Sequence, residues 1–240
     1  RVAKQKNKYN ILGPMQEISN IVRNAKRYKG FGGKTMARSQ TTQLMAGSTE
    51  ESDRTILTLS RALYKKYDLS RVYYTNFHYT HPAKGYDLPI TQTPFWRVRR
   101  LYQADRLMQL YGFSPDEITP DEEPYLTSEL DPKMSWALRN IHLFPIEVNT
   151  ADYEELLRIP GIGVTFAQKI IRSRRYGPVS HQTLRKIGVY MNKSSLFLTC
   201  NGKYEGGNAL SDAGKLKAMF SEAYAPDINE ALLQGSHQPC

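Results

Sequence analysis

Residues 148–175 read VNTADYEELLRIPGIGVTFAQKIIRSRR, a pattern that predicts two short helices joined by a tight turn. Asn149 or Thr150 is expected to cap the first helix, because its side-chain oxygen can accept a hydrogen bond from a free backbone N–H. Pro160 ends that helix, since it has no N–H and its ring fixes φ. Gly161 then permits backbone angles that a side chain would forbid. The stretch is therefore predicted to be a helical hairpin.

A second amphipathic helix follows the turn, with apolar residues at helical spacing and cations on the opposite side. The pattern L-x-x-I-P-G-I-G-x-x-x-A-x-x-I over residues 156–170 resembles the helix-hairpin-helix DNA-binding motif. Gly161 and Gly163 have no side chains, so a phosphate oxygen can approach the backbone N–H groups at the positive end of the second helix. The candidate DNA-binding residues are Pro160, Gly161, Ile162, Gly163, Lys169, Arg172, Arg174, Arg175, Arg185 and Lys186.

The charge distribution around this hairpin supports phosphate binding. Residues 156–204 contain nine Lys and Arg, at positions 158, 169, 172, 174, 175, 185, 186, 193 and 203, and no Asp or Glu. Nothing in the pattern is suited to reading base edges, so binding is predicted to be independent of sequence and sensitive to salt. The alternative interpretation is a sharp turn in an ordinary helical pair, with the arginines on a solvated face.

A further short helix is expected after the hairpin. Ser180 is a candidate cap for it, and Gly188 is its expected end. The sequence LRKIGV at 184–189 looks like a degenerate second hairpin, and SLFLT at 195–199 is a candidate strand. Pairing two hairpin units would bury the apolar faces that neither covers alone.

Composition narrows the class of protein. The chain has 240 residues and a formal net charge of +10, which favours a polyanionic partner. No apolar run could span a bilayer and no secretory signal is visible, so no membrane partner is expected. Two cysteines, Cys200 and Cys240, argue against a disulfide scaffold and indicate a cytoplasmic setting. His78 and His81 lack further ligands at matching spacing, so no metal site is predicted.

The first half of the chain reads as a parallel βαβ unit. Residues 41–46 and 71–77 are candidate strands, and a helix between them is expected to run to about Tyr67. Ser48 has capping-box spacing to Glu51, and Ile56, Leu59, Leu63 and Tyr64 are the expected inner face of that helix. An earlier helix is predicted over residues 14–29, with Pro14 in its first turn.

Residues 43–50, QLMAGSTE, look like the fifth-strand G-x-I-x-G-x-x-E motif of radical S-adenosylmethionine barrels, with Gln43 replacing the first glycine. Four further segments strengthen this resemblance: NILGPM at 10–15, RLYQADRLMQLYGF at 100–113, LDPKMSWALRN at 130–140 and FPIEVNTADYEELLRIPGIG at 144–163. Together they resemble the C-terminal half of the radical S-adenosylmethionine proteins of DNA modification and repair. The fold class implied is α/β plus all-α: part of a (β/α) barrel followed by a helix-hairpin-helix module.

This resemblance implies S-adenosylmethionine and a [4Fe–4S] cluster as cofactors of the full-length protein, and a DNA repair glycosylase as a partner. Matching positions give the expected S-adenosylmethionine contacts Gly47, Glu50, Tyr73, Thr75 and Phe77. The family holds its cluster in a C-x-x-x-C-x-x-C loop, which does not occur in this chain. Whether the chain belongs to an enzyme is therefore left open by the sequence.

The chain begins with Arg, and a lone βαβ unit needs further strands, so an N-terminal portion of the barrel is expected to be missing. The predicted domains are residues 1–112, the rear of the barrel; 113–145, an acidic linker and connecting helix; 146–204, the helix-hairpin-helix module; and 205–240, a tail. Two other functions stay open: a non-catalytic DNA-binding module, or hairpins that contact proteins.

Overall fold

A computed structural model describes residues 7–27, 37–77 and 93–221 of the chain. Within these ranges it has ten α-helices, two 3-10 helices and two small β-sheets. The chain divides into two compact units, Arg1–Tyr102 with Asp121–Tyr125 and Gln103–Pro120 with Leu126–Cys240. The four-part division drawn from the sequence stays a prediction.

The first unit is built on a parallel βαβ arrangement. Its elements are α1 (Lys8–Arg27), β1 (Thr41–Ala46), α2 (Asp53–Tyr67), β2 (Arg71–Asn76) and the first part of α3 (Phe95–Leu110). Strands β1 and β2 are parallel, with Thr41 opposite Arg71 and Ala46 opposite Asn76. The predicted strand, helix and strand are confirmed. In the described ranges this sheet has two strands, and no barrel is seen.

Two helix starts in this unit differ from the prediction. Helix α2 is capped by Ser52, whose Oγ accepts the Thr55 N–H. The predicted capping box between Ser48 and Glu51 is wrong, because the Glu51 carboxylate accepts the N–H of Gly47 instead. Helix α1 begins at Lys8, so Pro14 lies inside the helix and not in its first turn. A side chain further upstream, Asn7, accepts the N–H groups of Tyr9 and Asn10 and so starts the helix early.

The sheet of the first unit has one buried and one exposed face. Val72 and Tyr74 are buried, and the Tyr74 hydroxyl donates to Ser60 Oγ on α2 at 2.9 Å. Met45 and Tyr73 on the other face are 47% and 43% exposed. On α2, Leu59 was predicted to face inward, but it is 46% exposed. Leu57, two residues earlier, is fully buried instead.

The second unit contains the predicted hairpin. Its elements are the end of α3, α4 (Pro115–Ile118), α5 (Pro132–Arg139), a 3-10 turn (Ile141–Leu143), β3 (Ile146–Glu147), α6 (Tyr153–Arg158), α7 (Val164–Arg174), α8 (His181–Lys186), α9 (Met191–Ser194), β4 (Leu198–Cys200), β5 (Lys203–Tyr204), a second 3-10 turn (Ala209–Ser211) and α10 (Ala213–Ser221). Strand β4 lies between β3, to which it is parallel, and β5, to which it is antiparallel. Ser180 caps α8, as predicted.

A chain of aromatic rings forms the centre of this unit. Phe113, Trp136, Phe144 and Phe197 meet edge to face, with successive ring centroids 5.3, 6.3 and 5.1 Å apart. The Arg158 guanidinium lies 3.9 Å from the centroid of the Phe113 ring. Edge-to-face contacts and cation–π contacts add to the apolar burial that holds these elements together.

The acidic segment 114–131 is irregular apart from the single turn of helix α4, and its role as a linker stays a prediction. Ser114 and Glu117 form a reciprocal capping box that starts α4, and Ile118 is buried. The Glu117 Oε1 atom lies 2.8 Å from Arg158 Nη1. Asp131 caps α5 and accepts a hydrogen bond from Lys193 Nζ at 2.7 Å. Acidic side chains here serve as helix caps and ion-pair partners, which charge density along the sequence does not reveal.

Residues 205–221, predicted as tail, also take part in the unit. Glu205 accepts a hydrogen bond from Arg185 Nη2 at 2.6 Å, and Leu216 of α10 is buried. The predictions for His78, His81 and the end of the tail fall outside the described residues. No described helix combines the length and the apolar character needed to cross a membrane. In the same ranges, no group of three or more His, Cys, Asp or Glu is placed to hold a metal ion.

Glu147 and Asn149 tie the start of the hairpin to the rest of the unit. Glu147 accepts the N–H groups of Asn149, Asn201 and Gly202 at 2.8–3.0 Å, while Asn149 exchanges hydrogen bonds with the backbone of Val179. Burial acts to raise the pKa of Glu147, but these hydrogen bonds outweigh it and lower the pKa to about 2. Asn149 is thus a bridge and not the predicted helix cap.

Glu147→Gln is expected to destabilise the chain by about 1–2 kcal/mol at pH 7, because the amide group cannot accept the Gly202 N–H. The pKa of Glu147 is lower in the folded chain, so its contribution is complete above about pH 4.5 and is lost as the pH falls towards 2. Urea unfolding at several pH values should therefore show the difference between variant and parent shrinking over that interval. The exposed Glu154→Gln serves as control, and an equal loss in both variants would contradict the prediction.

Candidate nucleic-acid interface

The turn between α6 and α7 has the geometry of a type II β-turn. The Ile162 N–H donates to Ile159 O at 3.1 Å, Pro160 follows Ile159, and Gly161 has φ +87°. Ile159 and Ile162 are buried on either side of the turn. The two isoleucines hold the turn against the core, so Ile162, a predicted DNA contact, has neither a free side chain nor a free amide.

Two buried side chains hold the carbonyl groups of this turn. Ser194 Oγ donates to Pro160 O at 3.0 Å, and Lys133 Nζ donates to Ile162 O at 2.5 Å. In a trans peptide the carbonyl and the following N–H point in opposite directions. Because both carbonyls point into the protein, the N–H groups of Gly161 and Gly163 point away from Ser194 and Lys133.

These two amides have no hydrogen-bond partner among the described residues. Gly163 is also the N-terminal flanking residue of α7, a helix of 11 residues, and no side chain caps that end. The first N–H groups of a helix lack partners within it and carry partial positive charge. The turn therefore presents free donors where the sequence predicted phosphate binding.

The cations predicted on α7 fall into two groups. Lys169, Arg172 and Arg175 are exposed. Arg174 is half-buried, and its Nε and Nη1 atoms donate to Val148 O and Ala151 O, each at 2.7 Å. Two donors of Arg174, one of the candidate DNA-binding residues, are therefore used to join α7 to the chain before α6.

The two cations predicted on α8 also differ in surroundings. Arg185 and Lys186 are both exposed, but the Arg185 guanidinium is paired with Glu205. Lys169 Nζ donates to Ile187 O at 3.2 Å, which links α7 to the turn after α8. A phosphate at Arg185 would have to compete with Glu205, so Lys186 is the freer of the two cations.

The cap of α6 differs from the prediction. Asp152, and not Asn149 or Thr150, caps this helix, and it forms a reciprocal capping box with Glu155. The spacing D-x-x-E was present in the sequence and is a recognised start signal. Lys133 and Ser194 were also missed as supports of the turn, and no local pattern marks them, since they lie 29 and 34 residues from their partners.

Comparison with known protein families agrees with this geometry. Residues 145–187 match the family described as a helix-hairpin-helix motif. The chain contains a helix-hairpin-helix motif. The match covers β3, α6, the turn, α7 and α8. No curated protein and no solved structure matches the chain.

The residues predicted to contact S-adenosylmethionine lie at the end of β1 and along β2. Gly47 has φ +81°, and a Cβ at this position would overlap the hydroxyl of Thr93, which donates to Ala46 O. The space beside Gly47 is thus filled by the chain's own side chain. Glu50 is exposed and takes no part in this packing.

The strand residues of that prediction share one face of the sheet. Tyr73 lies beside the Arg71 guanidinium, 5.2 Å from the ring centroid, and Thr75 Oγ1 accepts a hydrogen bond from Gln43. Phe77 is partly exposed just beyond the strand. The pairing of β1 with β2 sets Thr75 opposite Met45, and the Phe77 N–H donates to Ala46 O, so both residues lie near the end of β1 that Gly47 follows. Contact of these residues with S-adenosylmethionine stays a prediction.

The cysteines of this chain do not fit an iron–sulfur cluster. Cys200 is buried in β4, where burial, with Glu147 and Glu205, raises the pKa of its thiol to about 12. The thiolate is the form that binds iron, and burial disfavours it. Cys240 lies outside the described residues, and the two cysteines cannot supply three ligands.

Proposed function

We propose that this chain binds the DNA backbone through its helix-hairpin-helix motif, with little dependence on base sequence. The observation that carries the proposal is the orientation of two peptide groups in the turn. Their carbonyls are tied to Ser194 and Lys133, which leaves the N–H groups of Gly161 and Gly163 facing outward. A backbone donor at the positive end of a helix is suited to a phosphate oxygen.

The charge around the turn supports the same ligand. Lys169, Arg172, Arg175 and Lys186 are exposed cations on the two helices that follow it. Residues 156–204 contain no Asp or Glu, so no carboxylate within that stretch repels a phosphate. Lys and Arg contacts to phosphates release counterions and make affinity fall steeply with salt.

Removing two of these cations tests the proposal. In the double variant Arg172→Ala/Arg175→Ala, the slope of log affinity against log salt concentration for duplex DNA is expected to fall by about 2. Fluorescence anisotropy with several unrelated duplexes should show the same loss for each. The matched control, Lys8→Ala/Lys65→Ala, removes two exposed cations outside the motif and should leave the slope unchanged. Equal losses in both double variants would mean that binding is a general charge effect.

The same titration separates the alternatives. Duplex RNA is titrated for comparison, because the proposed contacts are to phosphate groups, which both nucleic acids carry. If the chain binds neither duplex at low salt, the DNA proposal fails, and protein contacts through the hairpins are the alternative that is left.

A second candidate is that the chain is part of a radical S-adenosylmethionine protein of DNA modification or repair. It is favoured by the exposed sheet face around Met45 and Tyr73, because parallel sheets are normally covered on both faces. The packing of Thr93 beside Gly47 counts against a cofactor in the arrangement described. A C-x-x-x-C-x-x-C triplet elsewhere in the protein, with bound iron in the purified protein, would support this candidate. Capture of a DNA repair glycosylase by the same protein would support the partner that it implies.

A further inference from the structure

The Glu205 carboxylate lies beside α8, on one of the cations of the matched motif. Its Oε2 atom accepts a hydrogen bond from Arg185 Nη2 at 2.6 Å, and its Oε1 atom lies 3.6 Å from Nδ1 of the buried His181. A hydrogen bond between two charged groups is short, and it is stronger than one between neutral groups. The Arg185 guanidinium is therefore occupied by a carboxylate of the same chain.

Strand β5 fixes where this carboxylate lies. Glu205 follows β5 directly, and Tyr204 of that strand pairs with Thr199 of β4. The Tyr204 hydroxyl also donates to Leu196 O at 2.9 Å. An exposed ion pair usually contributes little, because ordering two long side chains costs entropy. Here the backbone before Glu205 is already held by strand pairing, so less freedom is lost when the ion pair forms.

Arg185 is close to other cations of the motif. Lys169 Nζ on α7 donates to Ile187 O at 3.2 Å, so the end of α8 lies against α7. Residues 156–204 contain no Asp or Glu, and Glu205 is the first carboxylate after that stretch. Carboxylate and phosphate oxygens accept the same hydrogen bonds from a guanidinium group. Glu205 thus occupies the position on Arg185 that a DNA phosphate would need.

We propose that Glu205 is an autoinhibitory group, which stands in for a DNA phosphate on Arg185 and so weakens DNA binding. The inference rests on the proposed DNA binding and concerns the regulation of that binding. A phosphate can reach Arg185 only after the ion pair opens, and the carboxylate repels a phosphate placed close to it. In the parent chain Arg185 therefore adds no phosphate contact, and loss of the Glu205 charge adds one.

Glu205→Gln tests the proposal in the full chain, because it removes the charge and keeps the shape of the side chain. Fluorescence anisotropy with duplex DNA should show an affinity at least about 3-fold higher than that of the parent at low salt. The slope of log affinity against log salt concentration should become steeper by about 1, as expected for one added phosphate contact.

The matched control is Glu129→Gln, which removes an exposed carboxylate that pairs with Lys217 in the same unit. It changes the net charge by the same amount, so it measures the general effect of a more positive chain. Its salt slope should match that of the parent.

The same substitution in an Arg185→Ala background separates the proposed contact from charge in general. There Glu205→Gln should change the affinity no more than Glu129→Gln does, since the guanidinium that it would release is absent. An equal gain in both backgrounds, or no gain in the parent background while duplex DNA binds, overturns this inference and leaves the DNA-binding proposal intact. If neither the parent nor Glu205→Gln binds duplex DNA at low salt, the proposed function itself fails.

Discussion

Replacing both Gly161 and Gly163 with valine is expected to lower the affinity for duplex DNA by at least about 100-fold, equally for every sequence. Hydrogen bonds to charged groups contribute about 1.5–3 kcal/mol each, and the variant blocks two backbone donors at once. A loss of about 1.4 kcal/mol corresponds to a tenfold change in affinity, so two lost bonds set the lower limit of about 100-fold. Anisotropy titrations with three unrelated duplexes at one salt concentration provide the measurement.

The two glycines contribute differently to this effect. At Gly161, valine would have to adopt φ +87°, which costs roughly 1–2 kcal/mol, and its Cβ would overlap the Ser194 hydroxyl. Gly163 has φ −109°, which any residue can adopt, and its neighbour is the Tyr111 hydroxyl at 2.9 Å. Gly163→Val alone should therefore leave the fold nearly intact while it blocks access to the amide.

A control separates backbone strain from blocked access. Gly207 has φ +58° with no atom near its missing Cβ, so Gly207→Val carries a similar backbone penalty away from the turn. Its DNA affinity should match that of the parent chain. If the double variant, shown to be folded by circular dichroism, binds DNA as tightly as the parent, the turn is not the phosphate site.

Phe197→Ala is expected to destabilise the second unit by about 3–5 kcal/mol, which is a large part of the stability of an ordinary domain. Phe197 is fully buried, and its ring meets Phe144 at 5.1 Å between centroids. Its backbone carbonyl also accepts the Ile146 N–H, which pairs β3 with the start of β4. The substitution leaves a cavity next to that pairing, because the surrounding side chains relax only in part.

Tryptophan fluorescence can follow the second unit alone. The chain has two tryptophans, and Trp96→Phe leaves only Trp136, which packs between Phe113 and Phe144. In that background, urea unfolding should show a clearly earlier midpoint for Phe197→Ala and a smaller shift for Phe197→Leu. Tyr176→Ala removes a ring that is 93% exposed and should change stability by less than about 0.5 kcal/mol. Similar midpoints for Phe197→Ala and Tyr176→Ala would show that the aromatic chain does not carry the stability of this unit.

Local sequence signals predicted several elements well. The strand–helix–strand unit has the predicted order and a parallel register, and α8 begins after Ser180. The turn at Pro160 and Gly161 is also as predicted, because Pro and Gly act through their own backbone angles. Where several nearby polar residues can cap the same helix, the predicted cap was wrong: Ser52 caps α2 in place of Ser48, and Asp152 caps α6 in place of Asn149.

The hairpin and the positive charge around it can be predicted from local sequence, since both depend on residues within a few positions of one another. Which of these groups are free to bind depends on contacts that form in the folded chain. Arg174 is used by Val148 and Ala151, Arg185 is paired with Glu205, and the two carbonyls of the turn are held by Lys133 and Ser194. These partners lie 20 or more residues apart along the chain, so no local pattern records them. A buried polar group must find a partner wherever the fold brings one, and that choice leaves the amides of Gly161 and Gly163 facing outward.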